Sequence, residues 1–240
     1  MNPVELQFKQ ELQNFGITLA DPIYNRLFAF LKALLEANKI TNLTAITDYD
    51  TALSKHLFDS LAILNLDPYR NAVKILDVGS GPGLPSIPLA ICSPTKTFTS
   101  LEATAKKVNF QTKVCSQLEI TNHTAIWSRA EALAHRPEER EKYDLVLARA
   151  LAPAATLAEL TLPFVRPFGF ALFYKGKSFQ DELDFARTAI TVLGGKVTAV
   201  KQYRLPAESG EHNIIIIKKI NQSPPQYPRR SGIPQKSPLK

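Results

Sequence analysis

Apolar positions along this chain change period partway through. From Asp21 onward, Ile23, Leu27, Phe30, Leu31, Leu34 and Leu35 fall on one helical face. This predicts a helix to about Ala37, with Asp21 as N-cap and Pro22 at its first position. A weaker helix precedes it. Another covers about Asp50 to Leu64, where Leu53, Leu57, Leu61 and Leu64 recur at helical spacing. Past residue 66, short apolar runs alternate with helical stretches. The runs Val73–Val78, Lys96–Leu101, Ala125–Trp127, Tyr143–Ala148, Gly169–Tyr174, Lys196–Tyr203 and Asn213–Lys218 predict seven strands. Helices opened by Pro85, Thr104 and Pro153, and by a Ser178/Asp181 capping box, separate them. The pattern is that of an α/β fold: a mostly parallel seven-stranded sheet with helices on both faces, the last two strands pairing antiparallel. Residues 1–66 then form an N-terminal helical cap and 67–220 the core. Residues 221–240, with five prolines and no sustained apolar period, predict a basic tail that stays extended or disordered until bound.

Ligands of such sheets bind beyond the carboxyl ends of the strands. The first strand ends in Lys74-Ile-Leu-Asp-Val-Gly-Ser-Gly-Pro-Gly-Leu-Pro-Ser. Glycines at 79, 81 and 83 permit positive φ and a close backbone approach to a ligand. A dinucleotide fingerprint would place its third glycine at 84, where Leu84 stands, and Pro85 leaves fewer amides to face a pyrophosphate. The loop therefore suits a cofactor without phosphates, with Asp77, Gly79, Gly81 and Leu84 as candidate contacts. Glu102 ends the second strand, where a carboxylate can accept from both ribose hydroxyls of an adenosine. Ala103 and Thr104 follow it, Thr104 capping the next helix. Ala130 and Glu131, after the third strand, lie where adenine would be bracketed, although Glu131 also reads as an ordinary acid of a helix's first turn. Arg149 follows the fourth strand and reaches the cleft, to position cofactor or substrate or to make a structural ion pair. His56, Asp59 and Ser60 share one helix face. They either reach the rim of the site or form a packing network in which Asp59 orients His56.

Charge adds a partner class. Of 29 Lys and Arg, six (Lys218, Lys219, Arg229, Arg230, Lys236, Lys240) lie in 218–240, with none of the 22 acids, so the rest of the chain is nearly neutral. A basic tail on a neutral body points to nucleic acid, or else to a solubilising extension. Cys92 and Cys115 have neither disulfide nor metal spacing and read as small core residues of a protein in a reducing cytosol. His123, His135 and His212 show no ligand spacing, so no metal is expected. No apolar run is long enough for a bilayer span, and Met1–Gln13 lacks a signal peptide's apolar stretch.

The glycine loop with Glu102 resembles the Rossmann-like class I methyltransferases. Asn42-Leu43-Thr44, His56-Leu-Phe-Asp59-Ser60, Asp77-Val-Gly-Ser-Gly-Pro-Gly-Leu-Pro85, Ala148-Arg149-Ala150 and Lys175-Gly176 occur in the order seen in the bacterial ribosomal RNA small-subunit methyltransferase G family. The resemblance spans about Leu31 to Lys218. The ending Tyr227–Leu239 resembles the basic terminus of some members. It implies methyl transfer from S-adenosyl-L-methionine to the 7-nitrogen of a guanine in small-subunit ribosomal RNA, by a cytoplasmic monomer. It also implies cofactor contacts at Gly79, Leu84, Glu102 through Thr104, Ala130, Glu131 and Arg149. Asn42, His56, Lys175, Arg229, Arg230 and Lys236 are the candidates for the RNA side. Guanine N7 carries a free lone pair, so Arg149 is expected to position reactants and no general base is required.

Three rivals remain open on the sequence. A methyltransferase for a protein or a small molecule fits the loop but not the basic tail, and one for another RNA fits both. A nicotinamide-binding module conflicts with Leu84. An RNA-binding protein with a vestigial cofactor site conflicts with intact Gly79, Gly81 and Glu102.

Overall fold

The structure, a computed structural model, describes residues 1–177, 179–206 and 210–239. The expected Ser178 cap and Lys240 lie outside the described residues. The seven strands are β1 (Lys74–Val78), β2 (Thr97–Glu102), β3 (His123–Trp127), β4 (Tyr143–Arg149), β5 (Val165–Lys175), β6 (Gly195–Arg204) and β7 (Glu211–Lys219). They form one sheet in the order β3-β2-β1-β4-β5-β7-β6. β1 to β5 are parallel, and β7 runs antiparallel between β5 and β6. Strand order reverses between β1 and β4, so a crevice opens at their carboxyl ends.

Helices α1 (Pro3–Asn14), α2 (Asp21–Thr41), α3 (Tyr49–Ala52), α4 (Asp59–Leu61) and α5 (Asp67–Arg70) precede the sheet. α6 (Ser86–Cys92), α7 (Ala105–Gln117), α8 (Ala130–Leu133), α9 (Ala154–Thr161) and α10 (Phe179–Val192) connect strands, and α11 (Ile233–Lys236) follows the last. The apolar faces of α1 and α2 form one core with α6, α7 and one side of the sheet: Phe8, Leu12, Leu27, Phe30, Leu31 and Leu34 meet Ile75, Phe98 and Leu145. Each such side chain stabilises the fold by about 1.5–3 kcal/mol. The other side of the sheet packs Val146, Ala171 and Phe173 on Leu157, Ala186 and Ile190 of α9 and α10.

Four local expectations are corrected. Asp21 is not the cap of α2. Ala20 is, and Asp21 pairs with Lys9 at 2.5 Å. Thr104 occupies the N-cap of α7 without a side-chain cap bond. The stretch expected as one helix over about 50–64 has a π-helical centre, Leu53–Phe58, between α3 and α4. The helix after Pro153 ends at Thr161, and a 3-10 turn through Phe164 leads straight into a β5 longer than its apolar run suggests.

The largest departure is the end of the chain. Residues 221–239 are not a free tail; they run back along α9 as a strap. Lys219, fully buried, donates to Leu162 O at 2.6 Å and Ser223 Oγ at 2.5 Å and faces Glu141 at 3.3 Å. Arg140 donates to the carbonyls of Ser223, Pro224 and Tyr227. Arg229 forks onto the fully buried Glu159 (Nε–Oε1 2.9 Å, Nη2–Oε2 2.6 Å), and Thr156 donates to Pro234 O at 3.0 Å. Proline-rich chain forms no periodic core of its own. Here its carbonyls, which prolines leave free, are taken up by side chains from much earlier in the sequence.

Candidate active site

The crevice is framed by three strand ends. After β1 the loop turns back on itself: Gly79 N donates to Leu101 O at 2.8 Å, and Gly83 and Leu84 N both donate to Ser80 O at 2.9 Å. Gly79 has φ 73°, and a Cβ there would stand 2.6 Å from Leu151 Cδ1, so the backbone must be bare for the β4 loop to pack on it. A Cβ on Gly81 would meet nothing within 4 Å. Its side of the loop is an open cradle that a larger side chain would fill. Gln111 of α7, wholly buried, holds the loop from below by donating to Ser80 Oγ (2.9 Å) and Gly81 O (2.7 Å).

Glu102 stands across from this loop. Its two oxygens accept from Gly81 N at 2.9 Å and Thr104 N at 2.8 Å. Each carboxylate oxygen has a second lone pair, so the group can still accept from a vicinal diol. Asp77 lies under the loop: Oδ2 accepts from Ser86 N at 3.2 Å, while buried Oδ1 has no partner among the described residues. Burial pushes its carboxyl up to about 7, against the nearby charge of Arg149, which lowers it. The bare cradle, the rigid acceptor pair on Glu102 and an unsatisfied acid beneath them suit a nucleoside cofactor with a cationic end. The segments 79–85 and 103–104 hold no basic side chain to replace the phosphate clamp of a dinucleotide site.

On the far side, Ala103, Ser128, Arg129, Ala130 and Glu131 line a cavity of about 140 Å³ together with Leu151, Thr156, Gly232, Pro234 and Gln235. Glu131 accepts from Gly232 N at 3.0 Å, so it serves the strap and not only the first turn of α8. Leu84 turns its side chain into the core beneath the helical cap.

Arg149 at the end of β4 reaches the cap. It donates to Asp59 Oδ2 at 2.9 Å and to Lys55 O at 3.1 Å. The next residue, Ala150, has φ 50°, a left-handed conformation of the kind that concentrates at functional sites. Asp59 accepts on its other oxygen from the Tyr203 hydroxyl. Asp59 therefore orients Arg149, and His56 is held elsewhere, with Nε2 2.9 Å from Thr44 Oγ1. Burial first, and then Arg149, depress the His56 pKa to about 4, so the ring is neutral at pH 7. Asn42 is the left-handed C-cap of α2, φ 47°. Lys175 donates to Ala152 O at 2.7 Å and to Glu182 at 2.6 Å, fixing the loop after β4.

The structure thus sets Asp77, Gly79, Gly81, Glu102, Ala103, Thr104 and Arg149 at or just past the carboxyl ends of β1, β2 and β4 and Ala130 and Glu131 at the start of α8; Gly79, Ala103, Ala130 and Glu131 line the cavity. It pairs the partly exposed Arg229 with the fully buried Glu159 and leaves Arg230 and Lys236 exposed. Tyr203, Gln111 and the strap residues Gly232, Pro234 and Gln235 escape sequence reasoning. Each acts on the site from a distant segment, and none belongs to a local motif.

Sheet order, bare loop and ribose-type acceptor define a Rossmann-like class I methyltransferase, which uses S-adenosylmethionine. Among solved structures, an O-methyltransferase from Bacillus cereus in complex with SAH superposes with a TM-score of 0.59 at 16% identity, over 90% of this chain and 99% of that one. TrmN from Thermus thermophilus gives 0.52 at 14%, over 70% and 53%. At such identities these likenesses show the fold. Sequence relatives are closer. Ribosomal RNA small subunit methyltransferase G of Bacillus pumilus is 37% identical over 233 residues, 97% of this chain and 98% of the relative. That of Clostridium novyi is 36% identical over 95% of this chain and 93% of the relative. The profile of the rRNA small subunit methyltransferase G family matches residues 23–212. The chain belongs to that family and is an rRNA methyltransferase.

Proposed function

We propose that the chain methylates the 7-nitrogen of one guanine in small-subunit (16S) ribosomal RNA, acting as a cytoplasmic monomer. The observation that carries this reading is the crevice at the β1/β4 reversal, where the glycine loop and Glu102 face a loop led by Arg149. S-adenosylmethionine supplies an electrophilic sulfonium methyl. Gly79, Gly81, Glu102 through Thr104, Ala130 and Glu131 would hold it, with the purine toward Ala103 and Ala130.

Guanine N7 attacks with a lone pair that is free at neutral pH. The bound cofactor would supply a methyl whose C–S bond breaks toward sulfur as the C–N bond to guanine forms, so the positive charge would pass to the purine. No proton leaves N7, so the chemistry asks for no base, and the neutral, buried His56 is suited to packing against Thr44. The chain's contribution is alignment, which for a well-oriented pair is worth about 7–11 kcal/mol. Arg149 sets the wall facing the guanine. Its charge is balanced by Asp59, so it does not oppose the sulfonium.

The RNA side is exposed Arg230 and Lys236 with Asn42 at the end of α2. Helices long and apolar enough to cross a membrane are absent among the described residues. Nucleosides from the small-subunit RNA of cells lacking this protein test the proposal. They should contain one 7-methylguanosine fewer, and an unchanged content contradicts it.

A further inference from the structure

The strap meets the crevice where the purine of the cofactor is assigned, and this meeting carries an inference that rests on the reading above. Three features stand out. Gly232 N donates to Glu131, the acid that opens α8, at 3.0 Å. Pro234 and Gln235 line the same cavity as Ala103, Ala130 and Glu131. The strap is also held rigidly just outside that cavity: Arg229 forks onto buried Glu159, Arg229 N donates to Glu159 Oε1 at 2.8 Å, Thr156 donates to Pro234 O at 3.0 Å, and His135 Nε2 lies 2.8 Å from Pro228 O. Small-molecule sites commonly enclose about 300–1,000 Å³. The cavity of about 140 Å³ is smaller than a whole cofactor site and forms one end of it, with Gly79 of the glycine loop on one wall and Gly232, Pro234 and Gln235 of the strap on another.

We infer that the C-terminal strap, residues 227–239, is part of the cofactor-binding site: Gly232, Pro234 and Gln235 close the purine end, and Arg229–Glu159 is the clasp that keeps them there. The basic ending of the chain then has two parts. Arg229 serves the cofactor site from inside. Arg230 and Lys236, on the outer surface of the same segment, face solvent and the RNA. Binding of cofactor and seating of the strap are linked, and linkage is reciprocal: what the strap contributes to cofactor affinity, the cofactor returns as protection of the strap.

Two measurements on the full-length protein test this, with S-adenosylhomocysteine as the probe. In the first, calorimetry compares the wild-type chain with the double variant Arg229→Gln/Glu159→Gln, which opens the clasp without leaving a buried charge and changes no residue lining the cavity. The variant should bind at least threefold more weakly while keeping its circular dichroism spectrum. Equal affinity in the folded variant overturns the inference. In the second, trypsin cleavage after Arg230 and Lys236 is timed in the wild-type protein with and without saturating S-adenosylhomocysteine. Cleavage should slow at least fivefold, and an unchanged rate overturns the inference without needing any variant to fold. If the wild-type chain itself binds no S-adenosylhomocysteine, the reading of the crevice fails first, an outcome distinct from normal binding with an indifferent strap.

Discussion

The loop after β1 and the strap after β7 border the same crevice, yet they are built on opposite principles. The loop is local. Its shape comes from glycines within five residues of one another and from hydrogen bonds to Leu101, Ser80 and Glu102. The strap is wholly non-local. Its internal backbone hydrogen bonds outside α11 are isolated turns, such as Tyr227 N to Pro224 O, and its position is set by Arg140, Glu141, Thr156 and Glu159. A motif can encode the first kind of site, whereas the second depends on side chains placed by a fold already formed.

The largest effect expected from this difference is on stability. Arg229→Ala strips the guanidinium from the fully buried Glu159 and leaves it only the backbone N–H of residue 229, which costs about 3 kcal/mol, the low end for a broken buried pair. A substitution in a solvated tail would stay within about 0.5 kcal/mol. Urea unfolding of the variant separates the two, and a wild-type midpoint would mean that the strap is not seated. Next comes the loop. Glu102→Ala should weaken S-adenosylmethionine binding by about 1–3 kcal/mol, the usual worth of a charge-assisted hydrogen bond. Calorimetry giving an affinity within twofold of wild type would remove Glu102 from the site.

The two regions should also answer pH with opposite signs. Burial raises the Asp77 carboxyl from 3.8 to about 7 in the folded protein. The folded state then holds the extra proton, so this stabilisation is complete below about pH 4 and is lost as pH rises through 7. Burial lowers Lys219 from 10.5 to about 8 despite Glu141. The unfolded state binds the extra proton there, so stability rises between pH 8 and 10.5 and is lost as pH falls through 8. Asp77→Asn should flatten only the first window and Lys219→Met only the second, in thermal melts across pH. Melting curves that keep both slopes in the variants would contradict the assigned groups.

The smallest effect belongs to the outer face of the strap. Arg230→Gln and Lys236→Gln should each reduce the logarithmic salt slope of RNA binding by about 0.7, the value for one single-strand phosphate contact. S-adenosylmethionine affinity should not change. Filter binding across a salt series with an unaltered slope would confine the RNA contact to other surfaces.

How much the sequence disclosed follows the same division. All seven strands were legible; the central parallel strands, buried on both faces, read as continuous apolar runs. The boundaries of β3 and β5 were not, since His123 and Thr124 are polar and Arg166 and Pro167 break the apolar run between Val165 and Phe170. Spacing alone singles out Gly79, Gly81 and Glu102, and the structure joins Gly81 N to the Glu102 carboxylate at 2.9 Å. The role of Asp59 was half legible. Its helical face was right, but its partner proved to be Arg149 instead of His56, because the π-helical turn at Leu53–Phe58 and the distant Tyr203 decide where its carboxylate points. The tail was misread for a physical reason: proline content and net charge describe a segment in isolation, and here Lys219 and Arg229 each find an acid supplied by another part of the fold.

The central claim is methyl transfer to a guanine 7-nitrogen in small-subunit RNA by alignment alone, and a single-turnover pH series tests it most directly. Purified protein carrying radiolabelled S-adenosylmethionine is mixed with small subunits lacking the modification, and nucleosides are separated at each pH. Label should appear in 7-methylguanosine alone, and the pH dependence of the rate constant between pH 6 and 8 should be the same in the wild type and in His56→Gln, because N7 needs no base and His56 stays neutral above about pH 4. Label in any other nucleoside, or a rate that climbs through the histidine range and loses that climb in His56→Gln, would contradict it.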